Sequence, residues 1–137
     1  MSTTLTHTTK LKVKFHECDP LRIVWHGNYF KYFEEGREDF CHTHGISYLD
    51  AERNGYATPI VSSSCEHKKP LAYGDKFTVE TSFENAASAK MIFTYKIFKN
   101  EELICTGRTV QVFLDQNNEL SLINPEFYQA WKSKMNL

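Results

Sequence analysis

No two cysteines in this 137-residue chain stand in a Cys-x-x-Cys arrangement. The four, Cys18, Cys41, Cys65 and Cys105, are separated by 23, 24 and 40 residues. That spacing excludes a zinc ribbon and a dithiol redox motif, and it predicts reduced thiols that pack mostly as small apolar groups. An excess of one charge is also lacking. Sixteen Lys and Arg stand against 17 Asp and Glu, a net charge of −1, and no stretch gathers basic residues densely enough to follow a phosphate backbone. Nucleic acid is not an expected partner. The apolar runs are a few residues long, far below the roughly 18 that a membrane span needs. MSTTLTHTTK has no apolar stretch of the kind a secretory signal carries, so the expected location is the cytoplasm. Only 4 Pro and 6 Gly are present, with no repeat, low-complexity run or linker, and a single domain over 1–137 is expected.

The residues that are there suit a soluble globular protein: 41% apolar, 24% charged and 14% aromatic. A chain of 16.0 kDa buries about two thirds of its extended surface on folding, enough for a core without covalent staples. Residues 1 to 9 form a Thr-rich lead that is expected to fray. From Lys10 to Glu17, Leu11, Val13 and Phe15 alternate with polar residues, the period of a half-buried strand. After a loop over Cys18 to Gly27, Asn28 is a candidate N-cap and Gly45 a candidate left-handed terminus, so the pattern predicts a helix over Tyr29 to His44. A helical wheel puts Tyr29, Phe30, Phe33, Gly36, Arg37, Phe40 and His44 on an inner side, with Glu34, Glu35, Glu38, Asp39 and His42 opposite. Gly36 in mid-helix costs about 1 kcal/mol relative to Ala, so its place on the apolar side predicts a sheet lying close against the helix backbone.

Strand patterns follow over Tyr56 to His67, Lys76 to Phe83, Lys90 to Phe98 and Leu103 to Leu114, divided by short turn signals that favour antiparallel neighbours. Asn124 and Pro125 introduce a short helix over 125–134. The expected class is α+β, one long helix on a five-stranded antiparallel sheet. Apolar residues on both sides of the strands, such as Ile92 and Phe98 opposite Met91, Phe93, Tyr95 and Ile97, predict a homo-oligomer that covers the second face.

Chemistry concentrates in the loop before the helix, where a helix N-terminus presents free N–H groups suited to a developing oxyanion. Asp19 is the carboxylate nearest that point along the chain. An ordinary Asp, with a pKa of about 3.9, is ionised at neutral pH and can attack a carbonyl or take a proton from water. On local sequence alone, Asp19-Pro20 equally describes a simple turn. Glu17, two residues earlier, suggests a carboxylate pair, although a structural role fits it better. Cys41, His42 and His44 do not make a metal site, since a helix turns His42 about 160° away from His44. Ser62, Ser63 and Ser64 lack the Gly-x-Ser-x-Gly context of a serine hydrolase.

The run FHECDPLRIVWHGNYFKYFEEGREDF, Phe15 to Phe40, resembles the signature of the 4-hydroxybenzoyl-CoA thioesterase family, acyl-CoA thioesterases of the hotdog fold, and PLAYGD, Pro70 to Asp75, resembles a second landmark of that family. The resemblance covers roughly Leu11 to Phe113. It implies hydrolysis of an acyl-CoA to free acid and coenzyme A, without cofactor or metal, at a site on a dimer boundary. Asp19 takes the place of the family's nucleophile or general base, and His26 that of a residue polarising the thioester carbonyl through its amide or ring. The backbone amides of His26, Gly27 and Tyr29 would face the oxyanion, and Lys90, Lys68 and Lys69 are the candidates for the coenzyme A phosphates. Arg22 stands where many members have Gly, which predicts a strained turn if that position needs a positive φ. Two other functions are compatible with the fold: a hydratase or dehydratase, and a module that binds acyl-CoA without turnover. Thiol release from a panel of acyl-CoAs separates the three.

Overall fold

The computed structural model describes residues 5–137. Five antiparallel strands, β1 (Thr6–Lys12), β2 (Ile60–His67), β3 (Lys76–Glu84), β4 (Lys90–Lys99) and β5 (Glu102–Val112), form one sheet in the order β1-β3-β4-β5-β2. Helix α1 (Asn28–His44) crosses one face of it, α2 (Tyr48–Arg53) follows directly, and α3 (Glu126–Lys134) closes the chain.

Period-two alternation decides which face is the inner one. Val79, Thr81 and Phe83 of β3 stand opposite Ile97, Tyr95 and Phe93 of β4, and all six are buried. Against them α1 lays Tyr29, Tyr32, Phe33 and Phe40, each fully buried aromatic contributing about 1.5–3 kcal/mol. Two glycines set the distance between the layers. A Cβ on Gly36 would stand 2.6 Å from Thr81 Oγ1 and 2.7 Å from Val79 Cγ1, so the sheet does approach the helix backbone there. The Phe33 ring, stacked on Tyr95 with centroids 4.6 Å apart, lies flat on Gly107 of β5, where a Cβ would overlap it.

Several boundaries differ from the sequence expectation, each for a local reason. The expected lead is strand from Thr6 onward, because His7, Thr9 and Leu11 face inward opposite Thr81, Val79 and Phe77; residues 1–4 lie outside the described residues. His7 Nε2 lies 2.9 Å and Thr9 Oγ1 2.6 Å from Asp39 Oδ2, tying β1 to α1. The Thr9 hydroxyl, with His7 beside it, holds the Asp39 carboxyl below its ordinary pKa. The strand expected to run to Glu17 ends at Lys12, and Phe15–Glu17 coils into a 3-10 turn whose Glu17 carboxylate accepts the Lys14 N–H at 2.7 Å. Asn28 is inside the helix rather than its cap, since Gly27 precedes the first helical residue. Phe30, expected on the inner side, is 40% exposed, and Tyr32, absent from the expected inner set, is buried instead. The expected Tyr56 to His67 strand begins only at Ile60, and the unexpected α2 is nucleated by Ser47, whose hydroxyl and amide exchange hydrogen bonds with Asp50.

The second face of the sheet also differs. It presents Glu80 opposite Lys96, Ser82 opposite Thr94, and Thr94 opposite Arg108, a largely polar surface on which Ile92 and Val110 are buried and Phe98 is half-buried. What lacks cover is β2, an edge strand on which every residue but Cys65 is exposed.

Candidate active site

Asp19 sits in a hairpin rather than a loose loop. Cys18 and Val24 bridge antiparallel, Asp19 N–H donates to Ile23 O at 2.9 Å, and Arg22 N–H donates to Asp19 O at 2.9 Å. Asp19 Oδ1 accepts the Leu21 N–H at 2.8 Å, so one carboxylate oxygen caps the turn, and Oδ2 has no donor among the described residues. Arg22 adopts φ 69, the left-handed conformation that the resemblance expects of glycine. Arg22→Gly is therefore expected to raise stability by about 0.5–1 kcal/mol, read as a higher denaturation midpoint.

The hairpin is fastened on two sides. Val24 N–H donates to Leu71 O at 2.8 Å, while Trp25 N–H and Asn28 Nδ2 both donate to Glu17 O, at 2.9 and 2.8 Å. Glu17 is 8% exposed, and Tyr32 O–H donates to its Oε1 at 3.0 Å, so its role is to hold the loop to the helix start. Burial, reinforced by the Glu17 charge, pushes the Tyr32 phenol up, which keeps the donated proton in place.

Beyond Trp25 the indole folds over Gly27, where a Cβ would collide with the ring. Asn28 N–H is engaged by Trp25 O at 2.9 Å and Tyr29 N–H by His26 O at 3.4 Å. The amides of His26 and Gly27 have no acceptor among the described residues, and of the three expected oxyanion donors these two are the free ones. The positive end of the 17-residue α1 begins beside them.

His67, which the sequence reading passed over, completes this end of the molecule. Its ring centroid is 6.5 Å from that of His26 and 4.9 Å from that of Tyr29, and its Nδ1 is 4.0 Å from Cys65 Sγ. Burial raises the Tyr29 phenol to about 12, so the hydroxyl that accepts the Leu71 N–H stays neutral. The only sequence signal for His67 is the alternation that puts Ser63, Cys65 and His67 on the inner side of β2.

The three candidate lysines divide. Lys68 and Lys69 follow His67 directly, with both N–H groups donating to Ile104 O; Lys69 Nζ is paired with Glu102 at 2.7 Å, and Lys68 Nζ is 3.9 Å from Glu66. Lys90 opens β4 opposite Val112, at the far end of the sheet, where its carbonyl accepts the Tyr128 hydroxyl. One chain does not bring Lys90 to Asp19.

Comparison with known proteins decides the family: the model of the thioesterase-like superfamily matches residues 13–131. The chain belongs to the thioesterase-like superfamily. Among its relatives are a candidate esterase of Aquifex aeolicus, 32% identical over 121 residues covering 88% of this chain and 94% of that one. The 4-hydroxybenzoyl-CoA thioesterase of Pseudomonas sp. strain CBS-3 is 22% identical over 82% of this chain and 85% of its own. The solved DHNA-CoA thioesterase of Staphylococcus aureus superimposes with a TM-score of 0.86 at 27% identity, covering 96% of this chain and 91% of that one. The thioesterase-like chain thus has the hotdog fold, and it is a thioester hydrolase. No helix among the described residues is long and apolar enough to cross a membrane.

Proposed function

We propose that this hotdog protein hydrolyses acyl-CoA thioesters at Asp19, with the amides of His26 and Gly27 receiving the carbonyl oxygen. The observation that carries the proposal is a carboxylate fixed through Oδ1 with Oδ2 available, on the hairpin that runs directly into the start of α1, where the two preceding amides lack acceptors among the described residues. A thioester carbonyl bound to those amides is polarised as its oxygen gains charge in the transition state. Asp19 then attacks the carbon, releasing the coenzyme A thiolate and leaving a mixed anhydride for water to open, or it takes a proton from the water that attacks. Either route gives free acid and coenzyme A. Relatives that act on CoA esters support this substrate class.

The exposed edge of β2 supports a dimer in which two copies pair this strand antiparallel, continuing the sheet and removing a long unprotected edge. That pairing sets the start of one β2 beside the end of the other, bringing Lys90 of a second copy toward the His67 end of the first, where Lys68 stands. The same geometry makes both copies part of each site, with Lys68 and Lys90 facing the coenzyme A phosphates. Thiol release from aliphatic and aromatic acyl-CoAs tests the proposal: turnover of at least one ester is expected, falling on dilution as the dimer mass disappears. Tight binding of esters with no thiol released overturns it in favour of a binding module.

A further inference from the structure

His67 is a side chain that the proposed chemistry leaves unused. It stands on the inner side of β2, where its ring meets two others edge to face: Tyr29 at 4.9 Å and 74°, and His26 at 6.5 Å and 83°. The chain beyond it is fastened to the site on two sides. Leu71 N–H donates to the Tyr29 hydroxyl at 3.3 Å, and Leu71 O accepts the Val24 N–H at 2.8 Å, which ties this end of β2 to α1 and to the hairpin that carries Asp19. His67 is therefore a neighbour of the residue whose amide is to receive the carbonyl oxygen.

The other edge of the ring decides which nitrogen carries the proton. Nδ1 lies 4.0 Å from Cys65 Sγ, within hydrogen-bond distance for sulfur. Burial raises the Cys65 thiol above its ordinary pKa, so the sulfur keeps its proton and S–H donates to Nδ1. A neutral imidazole that accepts at Nδ1 holds its own proton on Nε2. His67 is exposed, and Nε2 meets no acceptor among the described residues. A donor of fixed tautomer is thus available beside His26.

We propose that His67 donates its Nε2–H to the sulfur of coenzyme A as the thioester C–S bond breaks, a catalytic role that rests on the thioesterase function above. The electron pair of that bond leaves on sulfur. An alkyl thiol, with a pKa of about 8.5 in cysteine, departs as a thiolate carrying most of a full charge. The amides of His26 and Gly27 answer the oxygen and Asp19 acts at the carbon, which leaves the sulfur without a partner. The proton stays on Nε2 throughout, and the thiolate takes its own from water after release. A hydrogen bond that forms only as this charge develops raises the rate roughly 10- to 100-fold.

The test compares leaving groups. An acid that the native protein releases from the coenzyme A panel is esterified to N-acetylcysteamine, an alkyl thiol, and to thiophenol, whose ring disperses the thiolate charge. His67→Phe keeps a ring against Tyr29 and His26 and removes the donor. It is expected to lower kcat/KM roughly 10- to 100-fold for the alkyl thioester and about threefold or less for the aryl one. A merely structural role would slow both alike. His67→Gln, whose amide N–H can donate, should recover part of the alkyl rate, and His67→Leu serves if His67→Phe does not fold. The nitrogen-15 spectrum of the native imidazole at mildly alkaline pH is expected to place the proton on Nε2. Equal losses on the two esters, an alkyl rate within about twofold of native in both His67→Phe and His67→Leu, or a proton on Nδ1 overturns the inference and leaves the thioesterase proposal standing. No hydrolysis of any panel member by the native protein overturns that proposal itself, and this role of His67 falls with it.

Discussion

Asp19→Asn is expected to lower kcat for acyl-CoA hydrolysis by roughly 10²- to 10⁴-fold while leaving the fold intact. That loss corresponds to about 2.7–5.5 kcal/mol of transition-state stabilisation. The choice of asparagine follows from the geometry. Asn keeps an Oδ1 that can accept the Leu21 N–H, so the cap of the turn survives, and what disappears is the charge on the second oxygen. Asp19→Ala would remove cap and charge together and confuse the two. The amides of His26 and Gly27 remain in the variant, so residual catalysis from oxyanion binding alone is expected, as is near-native KM. Turnover within a few-fold of the native enzyme, with an unchanged melting transition, would remove Asp19 from the chemistry.

The helix that follows Asp19 and the central strands of the sheet are legible because their patterns announce themselves. Phe33, Gly36 and Phe40 repeat at helical spacing, Gly45 ends the helix at φ 73 as its position suggests, and the alternation in β3 and β4 is nearly complete. The turn that holds the carboxylate was readable in part: a positive φ was foreseen as the consequence of Arg22 standing in a glycine position, and Arg22 does adopt one.

What escaped the sequence has physical causes. His67 meets His26 through a contact between residues 41 positions apart, and the alternation of β2 places it on the inner side without pointing to that partner. Tyr32 appears on the wheel near the edge of the apolar side, and only the buried Glu17 carboxylate explains why its hydroxyl points inward. Residues 6–9 looked too polar for a strand because their inward side chains are His7 and Thr9, which satisfy themselves on Asp39 rather than in an apolar core. The open edge of β2 went unmarked for a related reason. The outer sides of β4 and β5 carry Ile92 and Val110 buried and Phe98, Leu103 and Val112 half-buried, whereas the polar run Ser62 to Ser64 does not mark the strand carrying it as the open edge.

Gly107→Val should cost about 2–3 kcal/mol, and the direction of the change is more informative than its size. Valine is a better strand residue than glycine by up to about 1 kcal/mol, and replacing glycine also restricts the unfolded chain. If space above Gly107 were open, the substitution would stabilise the protein. The Phe33 ring fills that space, fully buried and held on its other side by stacking at 13° on Tyr95. A side chain at 107 must therefore lift Phe33 and with it the middle of α1, against a core with no room to receive the ring. At roughly 4 °C per kcal/mol for a chain of this size, a fall in Tm of about 8–12 °C is expected. Gly45→Ala is the contrasting case: nothing lies within 4 Å of a Cβ there, and only the positive φ opposes it, for about 1 kcal/mol. A Gly107→Val protein that melts at or above the native temperature would mean that the helix does not rest on the sheet through Phe33. The start of α1, which His26 and Gly27 immediately precede, would then need another support.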